Sequence, residues 1–198
     1  MRIIGLTGGV GCGKSTVANL LKTEYNARIL LTDDIAKASY NIGNEGYKKV
    51  IALFGENILN CEREIDRVKL SKIVFSDNEK LDSLNKLIHP IVWDEVEKNI
   101  AMAKEDKIQF LVIESAILVE AGYKKLCDEI WYIKSNKEER IKRLLESRGY
   151  SKEKSESIIN NQAKEDEYIK NSDFVLDNNG DITELKNAID KIINSGKE

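Results

Sequence analysis

A glycine-rich stretch near the start of the chain constrains the fold more than any other feature of the sequence. Residues 5–17, GLTGGVGCGKSTV, satisfy every fixed position of the motif G-x-x-x-x-G-K-[ST], from Gly8 to Ser15. An apolar run precedes the motif and helix-forming residues follow it, which predicts a strand, a loop and a helix in succession. Such a loop turns successive backbone N–H groups into one concavity, and the helix adds partial positive charge. The segment is therefore expected to hold phosphate groups.

Each residue type in this loop has a predicted task. Lys14 reaches the β- and γ-phosphates of a nucleotide, Ser15 coordinates Mg²⁺, and Thr16 offers a second hydroxyl. The predicted ATP-binding residues of the loop are Gly8, Gly9, Gly11, Cys12, Gly13, Lys14, Ser15 and Thr16. Because a lysine and a helix N-terminus neighbour Cys12, we expect a lowered pKa for its thiol. Two interpretations follow for Cys12, a small loop residue or a redox switch, and we favour the first.

Apolar runs alternating with helical patterns predict the rest of the fold. Further strands are expected at residues 27–31, 110–114, 128–133 and 173–177, and helices at 136–147, 151–168 and 181–194. This alternation favours an α/β fold, a parallel sheet of the P-loop NTPase type flanked by helices. The segment from 34 to 107 is mainly helical, which predicts a substrate-side helical insertion at about 35–107.

Composition excludes several classes of partner. The net charge is −3, so no overall positive field attracts nucleic acid or anionic lipid. No apolar run approaches the length of a membrane span, and the three scattered cysteines favour neither disulfides nor a zinc site. We therefore expect a cytoplasmic protein with neither nucleic acid nor membrane as a partner. Without a flexible linker, residues 1–198 are predicted to form a single domain, and the oligomeric state stays open.

A phosphate-binding loop serves switches, ATPases and kinases alike, so other segments must decide between them. A guanine-nucleotide switch needs N-K-x-D, whereas residues 136–139 are NKEE. Glu114 ends a predicted strand, where it can support Mg²⁺ through water, but Ser115 follows it where a mechanical ATPase has a second acidic residue. A switch or ATPase is therefore disfavoured and remains an alternative.

Two features favour a kinase. Asp33 follows the second predicted strand, where a carboxylate can accept the proton of an acceptor hydroxyl or help to hold the metal. It can equally cap the helix that follows. Arg140, Arg143 and Arg148 lie on a predicted helix before a glycine turn, as arginines of a closing lid would. The alternative is a solvated helix face with glutamate partners.

Several segments together resemble the dephospho-CoA kinase family. These are IGLTGGVGCGKSTVA, IDRVKLSKIVFSDNEKLDSLNKLIHP, ILVEAG and SDFVLDNNGDI, in that order and with similar spacing, from the N-terminus to about residue 182. The resemblance implies ATP-dependent phosphorylation of the ribose 3′-hydroxyl of dephospho-CoA, which gives CoA and ADP in the last step of CoA synthesis. The substrates would be ATP and dephospho-CoA, with Mg²⁺. Another nucleoside or nucleotide kinase is the alternative within this class.

The resemblance also implies roles for particular residues. Lys14, Asp33 and Arg143 would be catalytic, with Asp33 as the proposed base, and the lid would span about residues 140–165. Arg148 would be a lid arginine on ATP, although the lid arginine of the family lies one residue closer to Arg143. Asn179 would lie near the adenine.

His89 and Pro90, the single histidine and single proline of the chain, form a separate prediction. Locally they indicate a helix break, with Pro90 at the first position of the next helix. A lone histidine is usually structural, but the resemblance implies that His89 contacts dephospho-CoA.

Overall fold

Five strands form one sheet in the computed structural model, which describes residues 1–195. The strands are β1 (Arg2–Thr7), β2 (Arg28–Leu31), β3 (Phe110–Glu114), β4 (Glu129–Lys134) and β5 (Phe174–Asp177). The sheet is parallel and its order is β2-β3-β1-β4-β5. Ile4 of the central strand β1 pairs with Val112 on one side and with Glu129 on the other. The predicted parallel α/β sheet is confirmed.

Helices form most of the remaining chain. They are α1 (Lys14–Tyr25), α2 (Thr32–Ser39), α3 (Glu45–Phe54), α4 (Arg67–Phe75), α5 (Asn78–Glu105), α6 (Lys137–Arg148), α7 (Lys152–Asn160), α8 (Glu165–Lys170) and α9 (Ile182–Ser195). Short 3₁₀ turns occupy Glu56–Ile58 and Tyr123–Leu126. Within the described chain, no helix is both long enough and apolar enough to cross a membrane.

The described chain divides into two compact units. Unit 1 combines Met1–Leu30 with the chain from Ala103 onward, and unit 2 is Leu31–Met102. In unit 1 the strands are near-continuous apolar runs because helices cover both faces of a parallel sheet. The helix α9 shows the matching pattern, since its buried residues Leu185, Ile189 and Ile193 recur every four positions.

Unit 2 is helical except for one isolated bridge between Leu59 and Ile65. The long helix α5 buries Leu84, Ile88, Val92 and Val96, again at a spacing of four. These four residues form a buried stripe on one face of α5. The stripe explains why the helix does not break at Pro90, so the break predicted from the sequence is wrong.

Pro90 lies inside α5 and is exposed. Its ring removes one backbone donor and costs about 3 kcal/mol in a helix interior. The carbonyl of Lys86, four residues earlier, therefore loses its partner within the helix, and water can bind it because that surface is exposed. Burial of the stripe before and after Pro90 offsets the cost, so the helix continues.

The single helix predicted for residues 151–168 is likewise wrong. It is two helices, α7 and α8, separated by residues 161–164. Within this gap the side chain of Gln162 accepts a hydrogen bond from the backbone of Val10, 152 residues away in the chain. A long-range contact therefore replaces a helical turn.

Candidate active site

The phosphate loop occupies residues 8–13, between the last residue of β1 and the first of α1. Gly13 stands directly before α1 with φ 94°, a left-handed conformation that side chains disfavour. A Cβ at this position would also overlap the side-chain amide of Asn178. Glycine at position 13 therefore satisfies both a backbone requirement and a packing requirement.

Lys14 is bound to the loop that it follows. Its Nζ donates to the carbonyl oxygens of Gly8, at 2.8 Å, and Gly9, at 3.2 Å. Ser15 and Thr16 are exposed in the first turn of α1, which contains no acidic residue. A cation, two hydroxyls and a helix N-terminus thus converge on a short segment without a competing carboxylate in that turn.

Cys12 departs from its prediction. Its side chain is 1% exposed and belongs to the hydrophobic core of unit 1. Burial raises the pKa of the Cys12 thiol, and the opposing effect of nearby Lys14 is smaller. The expected lowering of the pKa is therefore wrong, because the local neighbours were considered without the tertiary burial. The interpretation as a small loop residue is the one that this burial favours.

Arg143 contacts the back of the loop. Its Nη1 lies 3.3 Å from the carbonyl oxygen of Cys12, and its Nη2 donates to the carbonyl oxygen of Asn178 at 2.7 Å. The side-chain amide of Asn178 donates to the same Cys12 oxygen at 2.8 Å. Arg143 and Asn178 together link the phosphate loop to the segment after β5.

Asn179, the predicted adenine neighbour, lies in that segment. Its side-chain oxygen accepts from the backbone N–H of Asn136 at 2.8 Å and from the hydroxyl of Ser135 at 3.2 Å. The residue is half-buried and joins the loop after β4 to the loop after β5. Since both strands are parallel neighbours, these loops emerge at the same edge of the sheet as the phosphate loop.

Arg148 differs from the other arginines of α6. It is the last residue of that helix, is exposed, and lies 6.0 Å from the ring of Tyr150. It does not belong to the group of contacts that Arg143 makes with the loop.

Sequence reasoning missed the contacts of Arg140, Gln162 and Asn178. Arg140 precedes Arg143 by three residues, so the two share one face of α6, and this spacing was the available signal. Arg140 donates from Nε to the carbonyl oxygen of Val10 at 2.8 Å. No local pattern indicates the partners of Gln162 and Asn178.

Two further polar groups stand at the carboxyl ends of strands in unit 1. Glu114 is the last residue of β3 and is half-buried. Thr7 is the last residue of β1, and among the described residues its buried hydroxyl has no hydrogen-bond partner. A hydroxyl in that position can bind an ordered water molecule beside the phosphate loop.

In unit 2, Asp33 and His89 lie on separate helices. Asp33 is exposed in the first turn of α2, whereas His89 is half-buried within α5. The adjacent Asp34 pairs with Lys37 at 2.6 Å. Both carboxylates therefore lie beside the positive end of α2.

The same two helices line a cavity of about 430 Å³ within unit 2. Its walls include Ile35, Ala38, Glu45, Ile91, Asp94 and Lys98. Of the described residues, Asp33 and His89 are not in this lining: Ile35 and Ile91 follow them by two positions, a spacing that turns side chains to different faces of a helix. The lining combines apolar and charged side chains, and the cavity is large enough for part of a flexible organic molecule.

The strand–loop–helix unit, its lysine and the parallel sheet define a P-loop kinase fold. The family model for dephospho-CoA kinase matches residues 2–184. The chain therefore belongs to the dephospho-CoA kinase family, and the resemblance inferred from the sequence is confirmed. As a member of that family it is an ATP-dependent kinase that phosphorylates dephospho-CoA in CoA biosynthesis.

Similar proteins cover nearly the whole chain. A dephospho-CoA kinase from Carboxydothermus hydrogenoformans is 40% identical over 195 residues, which is 98% of this chain and 94% of that protein. A crystal structure of a Thermus thermophilus protein has a TM-score of 0.81 at 28% identity, covering 100% and 98% of the two chains. A dephospho-CoA kinase structure from Campylobacter jejuni has a TM-score of 0.72 at 23% identity, covering 98% and 97%. The last of these supports the fold.

Proposed function

We propose that this kinase transfers the γ-phosphate of ATP directly to the ribose 3′-hydroxyl of dephospho-CoA, without a covalent enzyme intermediate. The observation that carries the proposal is the loop of residues 8–13, with the Lys14 ammonium bound to its carbonyl oxygens. In phosphoryl transfer, positioning and charge neutralisation supply most of the rate. The loop and Lys14 are suited to both.

On this proposal the donor site is built mainly from backbone. The start of α1 and loop N–H groups other than that of Val10, which donates to Gln162, bind the phosphates of ATP, and Lys14 neutralises charge on the β- and γ-phosphates. Cys12 contributes through the backbone alone, because its thiol is buried, and its N–H donates to the Gly9 carbonyl oxygen at 3.3 Å within the loop. Asn179 borders the adenine, and Arg148 approaches ATP from the end of α6.

Asp33 is proposed as the general base for the acceptor hydroxyl. Its exposure and its place after β2 support this role, since ligands of parallel α/β sheets bind beyond the carboxyl ends of the strands. His89 is proposed to contact dephospho-CoA. Arg143 stays a proposed catalytic residue, and its contact with the Cys12 carbonyl supports a part in shaping the loop.

The residues present are suited to Mg²⁺ carried by ATP. Within the described chain, no group of three or more His, Cys, Asp or Glu residues gathers to hold a metal ion. Mg²⁺ in kinases commonly takes substrate phosphates and waters as most of its ligands. Ser15 offers one exposed hydroxyl, and the unpartnered Thr7 hydroxyl can bind a ligand water. When bound, the ion would neutralise charge on the transferred phosphate.

We further propose that residues 1–198 form a single kinase domain with a helical insertion at about 35–107 and a lid at about 140–165. The helices of unit 2 and the pair α7 and α8 support these assignments. The protein is proposed to act in the cytoplasm, without nucleic acid or membrane as a partner.

A panel of acceptors with coupled detection of ADP tests the proposal. We expect ADP release to depend on dephospho-CoA and to be far slower with nucleosides, nucleotides or shikimate at equal concentration. Mass spectrometry of the product should locate the new phosphate on the 3′-oxygen. Preference for a nucleoside or nucleotide would instead establish another small-molecule kinase. ADP release at the full rate with no acceptor would establish an ATPase or switch and overturn the proposal.

A further inference from the structure

A closed ring of hydrogen bonds surrounds the peptide at the tip of the phosphate loop. The Val10 N–H donates to Gln162 Oε1 at 3.0 Å, and the Val10 carbonyl oxygen accepts from Arg140 Nε at 2.8 Å. Arg140 Nη2 donates to the same Gln162 oxygen at 2.5 Å, which closes the ring. We call the two side chains, Arg140 and Gln162, the Val10 clamp.

We propose that the Val10 clamp is a positioning device that holds the loop ready for ATP, and that Arg140 and Gln162 raise the affinity for nucleotide without touching it. The inference rests on the proposed use of this loop for the phosphates of ATP.

The loop needs such a device because glycines flank Val10 on both sides. Gly9 and Gly11 restrict their own torsions little, although a turn bond from the Cys12 N–H to the Gly9 carbonyl oxygen, at 3.3 Å, spans Val10. The clamp fixes the orientation of the Val10 N–H and carbonyl groups, which this turn does not bind. The clamp binds both polar groups of Val10 on the side of α6 and α7. This leaves the neighbouring N–H groups of the loop to define the phosphate concavity.

The packing around the glycines supports the same role. A Cβ on Gly9 would overlap the guanidinium of Arg140 and lie 2.9 Å from Gln162 Oε1. A Cβ on Gly11 would lie 2.8 Å from the backbone carbonyl oxygen of Arg140. The loop therefore lies directly against the clamp, and the absence of side chains at positions 9 and 11 permits that approach.

These bonds distinguish Arg140 from a charge-neutralising arginine. Its Nε and Nη2 are both committed to protein oxygens, one on Val10 and one on Gln162. The guanidinium and the side-chain amide are both half-buried, so water competes less for these hydrogen bonds than at a fully exposed site.

The clamp also couples two distant segments. Gln162 lies in the gap between α7 and α8, whereas Arg140 lies in the first turn of α6. Any movement of the α7–α8 gap away from the loop breaks the bond to Val10 and the bond to Arg140 together. The order of the loop tip thus depends on a segment more than 100 residues away in sequence.

The test compares Gln162→Leu and Arg140→Met with the wild-type enzyme. Each variant is expected to raise the Kd for ATP, measured without acceptor, and the KM for ATP by about tenfold, since a lost hydrogen bond to a charged group has roughly this effect. The KM for dephospho-CoA and the kcat should stay within about twofold. The Kd of the double variant for ATP should be no higher than that of the single variant that binds ATP less tightly, because both residues hold the same loop residue.

Three controls separate positioning from general damage. Gln162→Glu keeps an oxygen for Val10 and Arg140, so protection of the Val10 amide should stay near normal even though its added negative charge opposes phosphate binding. Gln109→Leu and Lys142→Met change exposed residues elsewhere in unit 1 and should alter nothing. Hydrogen–deuterium exchange at the Val10 amide gives a readout independent of catalysis, and protection should fall in Gln162→Leu while thermal unfolding stays cooperative.

Unchanged ATP affinity and unchanged Val10 protection in Gln162→Leu would overturn the inference. A loss of kcat at constant ATP affinity in Arg140→Met would also overturn it, because Arg140 would then act on the transferred phosphate. Failure of the proposed function appears differently, as wild-type enzyme that binds ATP but does not phosphorylate dephospho-CoA.

Discussion

The phosphate loop of unit 1 and the helices of unit 2 present two different kinds of site. In the loop, the groups predicted to bind ATP and its Mg²⁺ are backbone N–H groups, one lysine and two hydroxyls, all from the segment between Gly8 and Thr16. In unit 2, the groups predicted to bind the acceptor are side chains on α2 and α5, more than 50 residues apart in sequence. A site made from contiguous backbone can be predicted from a short motif, whereas a site made from scattered side chains requires the fold.

The comparison also separates what each region should contribute to the rate. If unit 1 holds ATP and unit 2 holds the acceptor, substitutions in the first should act on phosphate charge or on nucleotide affinity. Substitutions in the second should act on the proton transfer or on acceptor affinity.

Replacement of Asp33 should have the largest effect. Asp33→Asn removes the proposed base for the acceptor hydroxyl, and kcat is expected to fall by about 10²–10⁴-fold because positioned proton transfer contributes on that order. The adjacent Asp34→Asn is the matched control. Asp34 pairs with Lys37 at the surface, and such a pair contributes about 0–1 kcal/mol to stability. Near-normal turnover in Asp33→Asn would remove Asp33 from the chemistry and leave it the role of a first-turn carboxylate on α2.

Replacement of Lys14 should follow closely. Lys14→Ala removes the cation that binds the loop carbonyls, and kcat is expected to fall by about 10²–10³-fold through lost charge stabilisation. Lys22→Ala changes an exposed lysine on the same helix and should leave kcat unchanged. Steady-state kinetics with both substrates varied will measure this. A Lys14→Ala enzyme with altered acceptor KM and normal kcat would contradict the division between the regions.

If the acceptor binds in the unit 2 cavity, a bulky residue there should act on acceptor binding alone. Ala38→Trp adds a side chain to the cavity wall and is expected to raise the KM for dephospho-CoA by about tenfold, since partial loss of a buried apolar contact costs roughly 1–3 kcal/mol. Ala52→Trp, an exposed position on α3 outside the lining, is the control. Equal acceptor KM in the two variants would show that the acceptor binds elsewhere.

The sequence was most informative where structure depends on local order. The strands β2 to β5 begin and end within one residue of the predicted bounds, and those of β3 coincide with them, because burial on both faces requires continuous apolar residues. Pro90 shows the limit of such rules. Proline locally favours the end of a helix, but α5 continues through Pro90 because apolar residues before and after it are buried. That stabilisation comes from tertiary packing, which a local rule does not include.

The candidate site divides in the same way. The motif predicted where Lys14 and Ser15 stand relative to the loop, since they follow it directly. It did not predict the clamp, because Arg140 and Gln162 reach Val10 from 130 and 152 residues away. Neither residue type is unusual on a surface helix, so only the fold distinguishes them from their solvated neighbours.

Cys12 provides the last and smallest test of the backbone character of the loop. Its thiol is buried and its pKa is raised, so less thiolate forms at neutral pH than on an ordinary cysteine. Cys61 is exposed. A thiol-specific alkylating reagent at about pH 7.5, roughly one unit below the ordinary cysteine pKa, should therefore modify Cys61 well before Cys12, as peptide mass spectrometry can follow. Saturating ATP should leave the alkylation rate of Cys61 unchanged. It should slow the alkylation of Cys12 only because bound ATP suppresses the local opening that exposes this buried thiol. Rapid modification of Cys12 that ATP blocks would mean that the thiol faces the nucleotide, and the loop would then bind ATP with a side chain as well as with its backbone.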